Sequence, residues 1–239
     1  MTRRRFIADE VSGNHATLVG EHADHLVRVL RVRVGQDFDI ATGAAVRRGR
    51  ITSVSDARVE FELAEEISAG NLPEITLVLA VFKFDRMEWA IEKCTELGVS
   101  QIVPVIARRT DSHLATASVK RFERWQRIAR QSSEQSRRSV PPEIAVPIKF
   151  AEALNIPAAL RIVLAESEGQ TLLRDVVKPN GAGDGIVLAV GPEGGWTDGE
   201  LRSFQQAGWI SASLGGTILR AETAAMAVVA VVASILNSL

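Results

Sequence analysis

The sequence predicts an α/β protein built in two parts, a small β-domain over residues 1–72 and a parallel α/β domain over residues 73–239. Period-2 alternation marks the first part: Val59, Phe61 and Leu63 alternate with Glu60 and Glu62, as in a strand with one buried face. Continuous apolar runs mark the second, ITLVLAVF at 75–82 and GIVLAV at 185–190, as in strands covered on both faces. Helical periodicity between those runs is the third observation, because strands alternating with helices argue for a parallel sheet.

Taken in order, RRFIADE (4–10) and ATLVGE (16–21) read as short strands. EHADHLVRVLR (21–31) reads as a helical turn with His22, Leu26, Val29 and Leu30 on one side. QDFDIATG, AAVRRGRITSV and ARVEFELAEE continue as strands whose regular turn spacing suggests a small barrel. ISAGNLP (67–73), with Gly70, Asn71 and Pro73, reads as the linker. Beyond ITLVLAVF, Asp85 is expected to cap a helix with Glu88 in a capping box, Met87, Ile91, Cys94 and Leu97 facing inward and Gly98 ending it. VSQIVPVI (99–106) is the next strand. A long helix around 118–138 turns Phe122, Trp125, Ile128 and Ala129 inward and its arginines outward. RIVLAES (161–167) and GIVLAV are further strands, Thr197 caps a helix, WISASLG (209–215) is a strand, and a final helix starts near Leu219.

With 239 residues, 46% hydrophobic and 24% charged, the chain can bury a sizeable core, which excludes the disordered and fibrous classes. A lone cysteine, Cys94, excludes an intrachain disulfide scaffold. The basic start MTRRRFIADE lacks an apolar stretch behind it, so no signal peptide is expected. The uncharged C-terminal run from Ala224 is shorter than the ~20 residues of a membrane span. A buried helix, in a core or a subunit interface, and a soluble cytoplasmic protein are expected.

The net charge of −1 hides an asymmetry. Between Arg108 and Arg138 the chain carries nine bases (Arg108, Arg109, Lys120, Arg121, Arg124, Arg127, Arg130, Arg137 and Arg138) against three acids. Such a stripe is either a solvated helix face or the footprint of a polyanion, for which arginine's planar fork is suited.

Two glycine-rich loops could carry chemistry. Gly191-Pro192-Glu193-Gly194-Gly195 follows a strand, where ligands of open α/β sheets bind and where glycine lets backbone approach a ligand closely. It is neither a GxGxxG fingerprint nor a Walker loop. Leu214-Gly215-Gly216-Thr217-Ile218-Leu219-Arg220 likewise follows a strand and opens a helix. Adjacent strand ends would bring the two loops into one cleft, with Arg220, Glu222 and Thr223 at its edge. Alternatively Glu222 and Thr223 merely polarise the last helix. His15, His22 and His25 have no partners at metal-ligand spacing, so no metal is expected.

FKFDRMEWAIEKCTELGVSQIVP, RWQRIARQSSEQSRRSVPPEI, LAVGPEGGWTDGEL and LGGTILRAETAAMA occur in this order, after HLVRVLRVRVGQ. Together they resemble the uracil-N3 methyltransferases of bacterial 16S rRNA, the RsmE type of the SPOUT superfamily. The resemblance implies a PUA-like β-barrel RNA-binding domain (1–72), a SPOUT α/β domain with a C-terminal trefoil knot (73–239), a homodimer, S-adenosylmethionine as cofactor, and the 16S rRNA of the small ribosomal subunit as partner. Carried onto this chain, it implies cofactor contacts from Leu164, Ala165 and Glu166, from Gly191 to Gly195, and from Leu214, Gly215, Ile218, Leu219, Arg220, Glu222, Thr223 and Ala224. It implies RNA contacts from Arg28, Arg31, Lys83, Arg86, Arg108, Glu134, Gln135, Arg137 and Arg138. Gly216-Thr217 stands where many members of the family have Pro-Arg.

Methylation at N3 of uracil requires loss of the N3 proton and stabilisation of the anion. Arg220 is the candidate for the developing negative charge, and Glu222 or Glu193 for the proton. A ribose 2′-O methyltransferase of the same superfamily and a non-catalytic rRNA-binding or assembly protein are the alternatives.

Overall fold

A computed structural model describes residues 5–43, 45–67, 74–178 and 185–236. Gly70, Asn71 and Pro73 of the expected linker lie outside the described residues. The chain divides into two compact units, Met1–Asn71 with Ser133–Pro141, and Leu72–Ser132 with Pro142–Leu239.

The first unit holds strands β1 (Arg5–Ile7), β2 (Glu10–Ser12) and β3 (His15–Val19), helix α1 (Gly20–Asp24) continued by a π turn over His25–Val29, then β4 (Asp37–Ala41), β5 (Val46–Ser55) and β6 (Arg58–Ile67). They form one sheet in the order β1-β4-β5-β6-β3-β2, antiparallel except for β1 beside β4. The two edges are nearly consecutive in sequence. Ala8 donates its N–H to Ala41 on one edge and Asp9 to Thr17 on the other, so the sheet curls back on itself through a single stretch of chain. Val59, Phe61 and Leu63 face inward as the alternation required, and Phe6, Phe38 and Phe61 meet edge to face at 5.4 and 6.4 Å. Gly49 on β5 is needed there: a Cβ would sit 2.4 Å from Ile40 Cγ1. The helical turn departs from expectation at Val29, which is 64% exposed. The widened π turn closes with Leu30 N–H on the His25 carbonyl and rotates Val29 away from the face that Ala23 and Leu26 bury.

In the second unit, β7 (Ile75–Ala80), α2 (Phe84–Glu96), β8 (Gln101–Ile106), α3 (Ser112–Ser118), a 3₁₀ turn (Val119–Arg121) and α4 (Phe122–Gln135) come first. β9 (Glu143–Ile144), β10 (Ile148–Lys149), α5 (Phe150–Ala153), β11 (Leu160–Leu164), α6 (Leu173–Val176), β12 (Ile186–Val190), α7 (Asp198–Gln206), β13 (Ile210–Ala212) and α8 (Ala221–Ile235) follow. The sheet runs β10-β8-β7-β12-β11-β13, with β9 also on β8, and every pairing is parallel. Its strands bury both faces. Ile75, Leu77 and Leu79 point into a core shared with α2, α4 and α8, while Val78 and Ala80 point into one built on Trp196, Phe204 and Trp209.

Two helix ends differ from the sequence reading. The N-cap of α2 is Lys83, with no side-chain cap; Asp85 lies in the first turn and Glu88 instead pairs with Arg121 and Arg124 at 3.4 and 2.7 Å. The long helix expected around 118–138 is a 3₁₀ turn over Val119–Arg121 followed by α4, which ends at Gln135, and a separate helix, α3, precedes them. The pairs made by Glu88 also neutralise part of the basic stripe, and they hold the Arg124 guanidinium above its ordinary pKa. Helix α8 buries Ala225, Val228, Val229 and Val232, which accounts for the apolar C-terminal run, and no helix among the described residues is long and apolar enough to cross a membrane.

One local arrangement bears on chain path. Ala165 donates its N–H to Ala212, while Ser213 exchanges hydrogen bonds with Thr171 and Leu173 on its other side. The backbone leaving β13 for α8 therefore runs between two parts of the segment that follows β11.

Candidate active site

Three strands end at one place. β12, β11 and β13 are consecutive in the sheet, and the loops leaving their carboxyl ends enclose a cleft of about 570 Å³. The two glycine loops are not on adjacent strands, as the sequence suggested; β11 stands between them and contributes a third loop, 164–169. A cleft beyond the carboxyl ends of parallel strands is where open α/β sheets bind ligands.

Glycine shapes two of the walls. At Gly191 a Cβ would lie 3.2 Å from the Trp196 nitrogen, so a side chain there would crowd the loop where it doubles back. Gly195 (φ 67°) and Gly215 (φ 132°) occupy left-handed backbone, and the space where a Cβ would project is open at both. Gly195 N–H closes the turn on the Pro192 carbonyl at 2.8 Å. In the third loop, the Glu168 carboxylate accepts N–H donors from Gln170 and Thr171 at 2.9 Å each, which holds its pKa below the ordinary carboxylate value. Thr197 and Glu200 form the capping box of α7, and buried Glu200 also accepts the Arg108 N–H at 2.7 Å.

Of the sequence-derived cofactor set, Leu164, Ala165, Glu166, Gly191 to Gly195, Leu214, Gly215, Ile218, Leu219 and Ala224 line this cleft. Arg220, Glu222 and Thr223 are not among its lining residues. Arg220 is the exposed N-cap of α8, and its side chain has no hydrogen bond or ion pair among the described residues. Glu222 is 3% exposed; Arg86 Nε lies 3.8 Å from its Oε1, and its Oε2 has no hydrogen-bond partner among the described residues. The same Arg86 reaches Glu193 Oε1 at 3.4 Å. Arg86, expected on the RNA side, thus joins the two candidate proton acceptors.

The remaining RNA candidates are spread over both units. In the first, Arg28 pairs with Asp24 at 2.5 Å, Arg31 and Arg137 hold left-handed backbone, Glu134 Oε1 accepts the Ile7 N–H, Gln135 ends α4, and the Arg137 carbonyl accepts a hydrogen bond from Arg5. Arg138 is 9% exposed, and burial lowers its pKa to about 10, so its guanidinium is not offered to solvent. In the second, Lys83 and Arg108 flank α2 and the turn after β8. Among the cleft residues that sequence reasoning missed are Trp196, Glu168 and Arg109, whose Nη1 donates to the carbonyls of Gly194 (2.5 Å) and Trp196 (3.2 Å). Arg109 was visible only as one arginine of the basic stripe.

The cleft offers glycine backbone, apolar Leu164, Leu214 and Ile218, and the carboxylates of Glu166 and Glu193. It has room and polar groups for a nucleoside-sized ligand, and no group of His, Cys, Asp and Glu able to hold a metal occurs among the described residues.

Residues 70–233 match the model of the RNA methyltransferase domain family. The ribosomal RNA small subunit methyltransferase E of Synechocystis sp. is 35% identical over 228 residues, covering 93% of this chain and 74% of the relative. The enzyme of the same name from Neisseria gonorrhoeae, solved bound to S-adenosyl methionine, is 31% identical, with 96% of each chain covered and a TM-score of 0.84. A Legionella pneumophila protein solved in complex with the cofactor SAM is 27% identical, with 98% of each covered and a TM-score of 0.87. The chain therefore belongs to the ribosomal RNA small subunit methyltransferase E family of RNA methyltransferases.

Proposed function

We propose that this protein transfers a methyl group from S-adenosylmethionine to N3 of a uridine in the 16S rRNA of the small ribosomal subunit. The observation that carries the reading is the convergence of three loops from β11, β12 and β13 on one glycine-walled cleft, in a chain of this family. Backbone groups at 164–166, 191–195 and 214–219 would hold the cofactor, with Leu164, Leu214 and Ile218 against its base. When bound there, the cofactor supplies an electrophilic methyl group.

The chain's own residues then have three tasks. The target base must be unpaired and held with N3 facing the cleft, because N3 lies on the Watson–Crick edge. The N3 proton must leave, and the two carboxylates joined by Arg86 are the groups to take it: Glu193 lines the cleft, and Glu222 lies buried behind it. Glu222 Oε2 has no hydrogen-bond partner among the described residues, while Glu193 is the more exposed of the two, and Arg86 reaches both. Arg220, exposed next to the cleft residues Leu219 and Ala221 and with no side-chain partner among the described residues, stabilises the negative charge that develops on a uracil oxygen. Arg86 holds both carboxylates in place.

The curled first unit is read as a PUA-like RNA-binding domain. The second unit is read as a SPOUT domain with its knot at 165–173 and 213–220, a path supported by the hydrogen bonds that flank Ser213 on both sides; knots are rare enough that this local pattern matters. A homodimer in the cytoplasm completes the reading.

The test is incubation with S-adenosylmethionine and small subunits lacking the modification. A new reverse-transcription stop is expected, because N3 methylation blocks pairing. Resistance to alkaline cleavage without a stop would mean a ribose 2′-O target and overturn the assignment.

A further inference from the structure

We propose that Arg109 is a positioning residue for loop 191–196, fixing the peptide planes that receive S-adenosylmethionine; the proposal rests on the methyltransferase reading of the cleft. Glycine at 191, 194 and 195 lets this loop turn sharply, but it also gives the loop more backbone freedom to lose on ordering than other residues would. A shape complementary to a ligand must be held from outside. On one side the Trp196 ring packs against Phe150 and Phe204 at 5.9 and 5.0 Å.

On the other side stands Arg109, and its two hydrogen bonds complete a pattern. The Gly194–Gly195 peptide gives its carbonyl to Arg109 Nη1 and its N–H to the Pro192 carbonyl. The Trp196–Thr197 peptide gives its carbonyl to the same Nη1 and its N–H to Glu200 Oε2. Both planes are thus pinned at both ends. Between them lie the Gly195 carbonyl and the Trp196 N–H, which have no hydrogen bond among the described residues and are free to read a ligand. The arginine's own footing is firm. Arg108 N–H bonds Glu200 Oε1, and Thr110 Oγ1 bonds the Val81 carbonyl at 3.0 Å, so the turn after β8 is tied to α7 and to β7. Gly194 permits the approach, since a Cβ there would lie 3.3 Å from Arg109 Cδ. One guanidinium thereby transmits the rigidity of β8 to a loop that starts two strands away on β12.

The test measures S-adenosylmethionine binding by calorimetry and steady-state kinetics for the wild type, Arg109→Ala and Arg109→Lys. Loss of two hydrogen bonds to a charged donor should weaken binding by about 10- to 100-fold in the alanine variant. At saturating cofactor kcat should stay within about threefold and the KM for RNA should be unchanged, because no group at the reacting atoms is removed. Lysine should restore part of the affinity. Unchanged cofactor affinity in a folded Arg109→Ala protein overturns the proposal. So does a defect confined to the KM for RNA, which would make Arg109 a phosphate contact. If the alanine variant does not fold, Arg109→Gln, which keeps a donor and much of the volume, carries the same comparison. A wild type that binds no S-adenosylmethionine would instead refute the reading of the cleft itself.

Discussion

Glu200 gives the sharpest test of how the cleft is held together. Its carboxylate is 6% exposed and accepts three donors on two oxygens: Arg108 N–H on Oε1 at 2.7 Å, and Thr197 N–H and Oγ1 on Oε2 at 2.8 Å each. Glu200→Gln keeps the size but leaves one acceptor oxygen, so one of the two backbone N–H groups must face an amide NH₂. A donor left unmet in a buried place costs about 1–3 kcal/mol, and the surviving bonds lose their charge assistance. The expected loss is about 2–3 kcal/mol. For a unit of this size that is a fall in Tm of about 4–12 °C, read by thermal melting of the purified variant. A Tm within about 1 °C of the wild type would refute the argument that this carboxylate joins β8 to α7.

Three other outcomes follow from particular contacts. Arg220→Ala should lower kcat by about 10²- to 10³-fold while leaving cofactor affinity and Tm unchanged, measured by methyl transfer and calorimetry. Glu168→Gln should weaken cofactor binding several-fold by loosening the loop after β11. Because the folded Glu168 carboxyl sits below its unfolded value, its contribution is full above about pH 4.3 and disappears only as the pH falls through the lower folded value; wild-type affinity should therefore show no loss from this group between pH 7 and pH 5. Gly49→Ala forces a Cβ against Ile40 and should destabilise the first unit by about 1–3 kcal/mol in urea melts.

What the sequence revealed and what it hid divide along physical lines. Alternation placed Val59, Phe61 and Leu63, and apolar runs placed β7 and β12, because burial of one or two strand faces leaves a direct trace in residue order. The Thr197 cap was legible because a cap acts within the first turn of its own helix; its box partner Glu200 was added by the structure. Asp85 failed as a cap because Lys83 enters the helix first and Glu88 is taken by arginines from a turn and helix more than thirty residues away. β9 and β10, two residues each, are too short to carry a period. At the site, the glycines announced themselves. Arg109 did not, since its acceptors lie 85 and 87 residues further along, nor did the bridge from Arg86 to Glu193 and Glu222. Only the path of the sheet brings such pairs together.

The most direct measurement is nucleoside mass spectrometry of small-subunit rRNA after incubation with this protein and tritiated S-adenosylmethionine, using subunits that lack the modification. The account predicts label in 3-methyluridine, at one position, and only background label from a variant carrying both Glu193→Gln and Glu222→Gln. Label on a ribose, or no transfer by a wild type that binds the cofactor, would contradict it.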